Sequence, residues 1–86
     1  MFQSPLVSVL MTAYNREKYI GEAIESVLQS TYKNFELIIV DDCSVDDTLK
    51  IASSFLKNDQ RIQVFKNNSN LGQFRNRNKV KFSIKI

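Results

Sequence analysis

Phe35-Glu36-Leu37-Ile38-Ile39-Val40-Asp41-Asp42 is the stretch that decides the fold. Four aliphatic residues in a row, Leu37 to Val40, leave no position to face water, the pattern of a strand buried on both faces, as in a parallel sheet. The run then stops at two adjacent carboxylates. Upstream, Leu6 to Met11 (LVSVLM) is a second aliphatic, β-branched run, with Pro5 where a strand tolerates a missing N–H. Between the two runs Ile20, Ala23, Ile24, Val27 and Leu28 recur at helical spacing. They predict an amphipathic helix over Glu17 to Gln29, with Glu22, Glu25 and Gln29 on its wet side and Asn15 placed to cap it. Downstream, Ser44-Val45-Asp46-Asp47 has the form of a capping-box variant, and Leu49, Ile51, Ala52, Phe55 and Leu56 extend a second helical stripe to about Lys57. Ile62 to Phe65 (IQVF) reads as a third strand, residues 67–72 as a loop, and the segment from Gly72 to about Lys79 as a third helix.

Strand, helix, strand, helix, strand in units of about 30 residues gives an α/β chain, with right-handed crossovers that place the strands side by side and parallel. The expected fold is thus a Rossmann-like βαβαβ sheet, the first half of a doubly wound domain. Ligands of such sheets bind beyond the carboxyl ends of the strands, where the connections change direction. That rule points to Thr12–Asn15 and Asp41–Ser44.

Composition narrows the chemistry. A chain of 86 residues is one domain, 1–86, and 43% hydrophobic with 24% charged residues is an ordinary globular balance. There is no histidine, which excludes His-based acid–base catalysis, a Ser-His-Asp triad and most zinc sites. Cys43 is the single cysteine, so no internal disulfide forms, and with no apolar run longer than four residues neither a membrane span nor a secretion signal is expected. The expected location is the cytoplasm, including the cytoplasmic face of the membrane. The formal charge of +3 conceals an asymmetry: the last acidic residue is Asp59, and Arg61, Lys66, Arg75, Arg77, Lys79, Lys81 and Lys85 follow it. A basic end attracts phosphate, anionic lipid or nucleic acid alike.

Thr12-Ala13-Tyr14-Asn15 puts a hydroxyl, an aromatic ring and an amide where a crevice is expected. A planar base can stack on Tyr14 while Thr12 holds its edge; alternatively Tyr14 packs on the first helix and Asn15 is only its cap. Asp41 and Asp42 point to opposite sides of their strand, so they do not readily chelate one metal together. One supports the following turn and the other faces the crevice as an acceptor, unless both only cap the second helix. Gly72, Arg75, Arg77, Asn78 and Lys79 form either a phosphate neighbourhood or a solvated cationic face. No Walker A loop and no G-x-G-x-x-G is present.

Five segments in this order, Val7 to Asn15, Ser26 to Thr31, Phe35 to Ser44 with Asp47-Thr48, Asn70-Leu71-Gly72 and Arg77-Asn78, resemble the amino-terminal part of a family 2 glycosyltransferase with the GT-A fold. The resemblance runs from about Pro5 to Lys79. It implies a nucleotide-sugar donor, usually a UDP-sugar, and inverting transfer to the hydroxyl of a glycan or lipid-linked acceptor. By position it implies that Thr12 and Tyr14 border the nucleobase, that Asp42 accepts the uracil N3–H, that Asp41 is structural, and that Asn15 and Arg77 stand at the donor site, Arg77 with Asn78 matching the family's Arg-Asn pair. It also implies a divalent metal, Mg or Mn, held by an Asp-X-Asp motif that this chain lacks, since no acid follows Asp59. The expectation is a donor-recognition half that transfers no sugar alone. A non-enzymatic nucleotide-binding or interaction module is the alternative; a nucleic-acid partner is not expected, because no basic stripe with interleaved aromatic residues is present.

Val80 to Ile86 (VKFSIKI) alternates with period two, either an added, non-native strand or a disordered tail. With no strand expected beside Val7, Val9 and Met11, that edge or Phe82, Ile84 and Ile86 is expected to drive homo-oligomer formation.

Overall fold

The computed structural model describes residues 5–67 and 80–86, the latter by backbone alone over 80–82. In chain order the elements are β1 (Val7–Ala13), α1 (Ile20–Leu28), β2 (Phe35–Asp41), α2 (Thr48–Ser54) with a 3-10 turn at Phe55–Lys57, β3 (Ile62–Lys66) and β4 (Val80–Lys85). The strands form one sheet in the order β3-β2-β1-β4, every pairing parallel. This is the expected Rossmann-like α/β architecture with a fourth strand added.

β2 lies between β1 and β3, and its residues from Leu37 to Asp41 are all buried, as four successive aliphatics require. Alternation sends Val9, Met11 and Ala13 of β1 and Phe35, Leu37 and Ile39 of β2 to one face, where they meet Ile20 and Ile24 of α1 and Ala52 of α2 in a single core. The opposite face carries a polar ladder at its amino end: Ser8 Oγ donates to Glu36 Oε2 (2.5 Å), and Gln63 Nε2 to Glu36 Oε1 (3.3 Å). α1 has nine residues, too few for a stable helix in water, so the burial of Ile20 and Ile24 holds it in place.

Three expectations are corrected. α1 begins at Ile20 rather than Glu17 and its N-cap position is Tyr19, not Asn15. The cause is a tertiary contact: the backbone N–H groups of Asn15, Arg16 and Glu17 all donate to side chains of the β2–α2 loop and the start of α2, which fixes this segment as a loop. The expected Ser44/Asp47 capping box does not form, because the Ser44 hydroxyl turns back to Asp41; Asp46 instead accepts from the Thr48 N–H and Thr48 hydroxyl at the start of α2. The open edge beside β1 is occupied, with Val9 opposite Phe82 and Met11 opposite Ile84, and the Ile86 N–H donating to the Thr12 carbonyl (3.0 Å). The alternating tail satisfies that backbone within one chain, so the edge no longer supports the expectation of self-association. The expected third helix, residues 72–79, lies outside the described residues.

β3 is anchored where it begins. Asp59 accepts from the Arg61 N–H (2.9 Å), Nε (3.0 Å) and Nη2 (2.7 Å), while the guanidinium lies 4.2 Å from the centroid of the Phe35 ring. The hydrogen bonds from the Arg61 side chain and backbone lower the Asp59 pKa from 3.8 to about 2. A carboxyl depressed in the folded state adds stability above its unfolded pKa and loses it as pH falls through the folded one. Asp59→Asn is therefore expected to cost about 1 kcal/mol above pH 5, partial solvent exposure having weakened the pair. The difference from the parent chain should shrink as pH falls from about 4 toward 2, which urea titrations across that range measure.

Candidate functional site

The site is built on the carboxyl ends of β1 and β2. Their register places Thr12 opposite Val40 and Ala13 opposite Asp41, and one step further the Asp42 N–H donates to the Ala13 carbonyl (2.8 Å). Tyr14 and Asp42 thus leave the sheet side by side. Tyr14 is 44% exposed and so reachable from solvent. Asp42 is half-buried and accepts from Asn67 Nδ2 (3.3 Å). Thr12 is half-buried on the sheet face opposite Met11 and Ala13.

The two acids divide as alternation requires. Asp41 is 1% exposed and accepts from Ser44 at both oxygens, the N–H at 3.0 Å and the hydroxyl at 2.5 Å. Asn15 adopts φ 53°, which asparagine tolerates better than most residues, and its Oδ1 accepts from the Val45 N–H (2.9 Å) while its own N–H donates to Ser44 Oγ (2.8 Å). Further along, Arg16 N–H donates to Thr48 Oγ1 (2.8 Å), Glu17 N–H to Asp46 Oδ2 (3.2 Å) and Asp47 N–H to Glu17 Oε1 (3.0 Å). Desolvation raises the Asp46 pKa, but hydrogen bonds from Thr48 and from the Glu17 backbone outweigh it, and the carboxyl titrates below its ordinary value.

These bonds also show what the sequence reading missed. Ser44, expected to cap a helix, binds the neighbouring loop instead, Asp46 and Thr48 bind that loop besides starting α2, and Asn67, read as loop composition, contacts Asp42. β4 brings Lys85, exposed, opposite Thr12 at the strand end where the sheet order changes direction. Arg77, with Gly72, Arg75, Asn78 and Lys79, lies outside the described residues. Among the described residues no three carboxylate or thiol groups converge to hold a metal ion, so no step through a metal is assigned to them. An apolar groove of about 590 Å3 lined by Val7, Val9, Val27, Tyr32 and Phe35 opens at the opposite, amino ends of the strands. It offers little to a charged ligand, and the candidate site stays at the carboxyl ends.

Cys43, between Asp42 and Ser44, has φ 69°. That conformation crowds a β-carbon and suits glycine. Cys43→Gly is expected to stabilise the chain by about 0.5 kcal/mol, relief of crowding exceeding the added unfolded-state entropy. A higher denaturation midpoint with an unchanged denaturant slope checks this.

The arrangement over the described residues is that of a Rossmann-like α/β unit, a parallel four-stranded sheet with two helices, with Tyr14 and Asp42 at its strand ends. Residues 8–80 match glycosyl transferase family 2, and the chain belongs to that family. It is 46% identical over 72 residues to an uncharacterized glycosyltransferase of Haemophilus influenzae, covering 84% of this chain and 22% of that protein. It is 43% identical over 61 residues to the glycosyltransferase GlyG of Streptococcus pneumoniae, covering 71% and 20%. Among solved structures, S. aureus TarS 1-349 superposes with TM-score 0.69 at 34% identity, covering 79% of this chain and 20% of that one. A mannosyltransferase of Pyrobaculum calidifontis, PcManGT, in complex with GDP-Man and Mn2+, superposes with TM-score 0.70 at 20% identity, covering 78% and 21%, which speaks to the fold alone. The chain spans about a quarter or less of the length of these relatives. Among the described residues no helix is long and apolar enough to cross a membrane.

Proposed function

We propose that this chain carries the donor-nucleotide recognition half of a glycosyltransferase whose whole reaction moves a sugar from a UDP-sugar to the hydroxyl of a glycan or lipid-linked acceptor, with inversion at the anomeric carbon, in the cytoplasm, including the cytoplasmic face of the membrane. The observation that carries the reading is the placement of the exposed Tyr14 and the half-buried Asp42 immediately after the paired ends of adjacent parallel strands. The ring offers a stacking face, and the carboxylate accepts the uracil N3–H. Thr12 borders the base, and Lys85 and Arg77 supply positive charge for the diphosphate. Asn15 stands at the donor site and also ties the two loops through its bonds to Ser44 and Val45. Membership of glycosyl transferase family 2 supports the glycosyl-transfer part of this reading. In the full reaction the acceptor hydroxyl gives its proton to a general base as its oxygen bonds to the anomeric carbon, the bond to the diphosphate breaks and UDP departs. A metal would serve that leaving group, whereas the described residues serve the nucleoside. The 86-residue chain is accordingly expected to bind UDP weakly and to transfer nothing.

Titrating the chain with UDP and with GDP by heteronuclear NMR tests the reading. UDP should perturb Thr12, Tyr14 and Asp42 first. Equal shifts from both nucleotides, confined to the basic residues Arg75, Arg77 and Lys79, would mark unspecific phosphate attraction and contradict it. Turnover of a UDP-sugar by the pure chain, lost in Asp42→Ala, would contradict the expected inactivity.

A further inference from the structure

We infer that the β1–α1 and β2–α2 loops behave as one rigid body and that Ser44 is the positioning residue that makes them so, holding Tyr14 at a fixed distance from Asp42. The inference deepens the nucleotide reading above and rests on it for its functional consequence. Tyr14 is bracketed by the loop contacts: its preceding residue, Ala13, accepts from the Asp42 N–H (2.8 Å), and its following residue, Asn15, donates to Ser44 Oγ (2.8 Å). Asp42 is bracketed in the same way, between Asp41 and the residues that Asp41 holds. The Ser44 hydroxyl is the junction. It accepts from one loop while donating to Asp41 Oδ1 (2.5 Å), which is buried at the end of the central strand β2. Asn15 Oδ1 returns a bond to the Val45 N–H (2.9 Å), so the loops are tied in both directions across 29 and 30 residues of sequence.

A hydroxyl is needed at this point because one atom must accept and donate together. Hydroxyl-bearing side chains do so, whereas alanine does neither. Removing it leaves the Asn15 N–H and one Asp41 oxygen without these partners, while the Arg16–Thr48 and Glu17–Asp46 bonds persist further from Tyr14. The loops would remain folded but would no longer share one position at Tyr14. Stacking and hydrogen bonding to a base require both groups within fractions of an ångström, so loss of registration lowers affinity beyond what the lost Ser44–Asp41 bond costs in stability.

The experiment compares the parent chain with Ser44→Ala and Ser44→Thr, reading amide hydrogen exchange and UDP affinity. In Ser44→Ala the Asn15 and Val45 amides should exchange about tenfold faster relative to β2 and the Asp59–Arg61 turn, whose protection falls only by the global cost of the lost Ser44–Asp41 bond. UDP should bind about tenfold more weakly, and Ser44→Thr should restore both readouts to within about threefold. Acceleration of the Asn15 and Val45 amides no greater than that across β1, β2 and β3 would make Ser44 a residue of global stability alone and overturn the inference. So would unchanged exchange at Asn15 and Val45, or failure of the threonine to restore protection. If the parent chain binds no UDP, the nucleotide reading fails by itself; the exchange data still decide whether the loops move as one.

Discussion

Asp41→Ala is expected to destabilise the chain by about 3 kcal/mol, lowering its thermal midpoint by roughly 10–25 °C, as follows for a domain of this size. Asp41 is 1% exposed and accepts both the N–H and the hydroxyl of Ser44, at 3.0 and 2.5 Å. Hydrogen bonds to a charged group contribute about 1.5–3 kcal/mol each, and the lost carboxylate also leaves the Ser44 donors without these acceptors. Relief from burying a charge offsets part of the loss. Asp41→Asn separates charge from shape. Its amide oxygen can still accept the Ser44 N–H, but the amide NH2 meets a hydroxyl that has nowhere to donate, so about half the loss should remain. A cost below 1 kcal/mol for alanine, read by urea or thermal unfolding, would show that the carboxylate is not what closes the β2–α2 turn.

The sheet was legible because its signals are local. Leu37 to Val40 admits hardly any assignment other than a doubly buried strand, and the Ile20, Ala23, Ile24, Val27 stripe has one helical face. What escaped the sequence involves partners far apart in the chain. Asn15 and Ser44 each resemble a helix cap by type and spacing, yet the side chains and N–H groups that could have capped a helix bond to each other across 29 residues of sequence. Nothing within a short window distinguishes those uses. Asn67 is similar: polar composition identified a loop, while its contact with Asp42 follows only from β3 lying beside β2. The Val80 to Ile86 alternation was visible, but its place beside β1 was not, since period two reports a strand without naming its neighbour. For the site, the separation of Asp41 from Asp42 was legible from strand alternation, and the structure adds what each side chain touches.

The measurement that tests the central claim most directly is UDP affinity for the parent chain and for Asp42→Ala, with 3-methyl-UDP as the paired ligand at fixed ionic strength. If Asp42 accepts the uracil N3–H, alanine removes a charge-assisted hydrogen bond of about 1.5–3 kcal/mol, a loss of roughly 10- to 150-fold in affinity. Methylation of N3 removes the same bond from the other side. The parent chain should therefore lose about as much for 3-methyl-UDP, and the Asp42→Ala chain should bind the two ligands alike. Asp42 lies at the protein's surface end of β2, half-buried, so its replacement should leave the fold in place for the comparison. UDP binding equally well to both chains, or 3-methyl-UDP binding as tightly as UDP to the parent, would contradict the assignment of Asp42 to the base and with it the reading of this crevice as a nucleotide site.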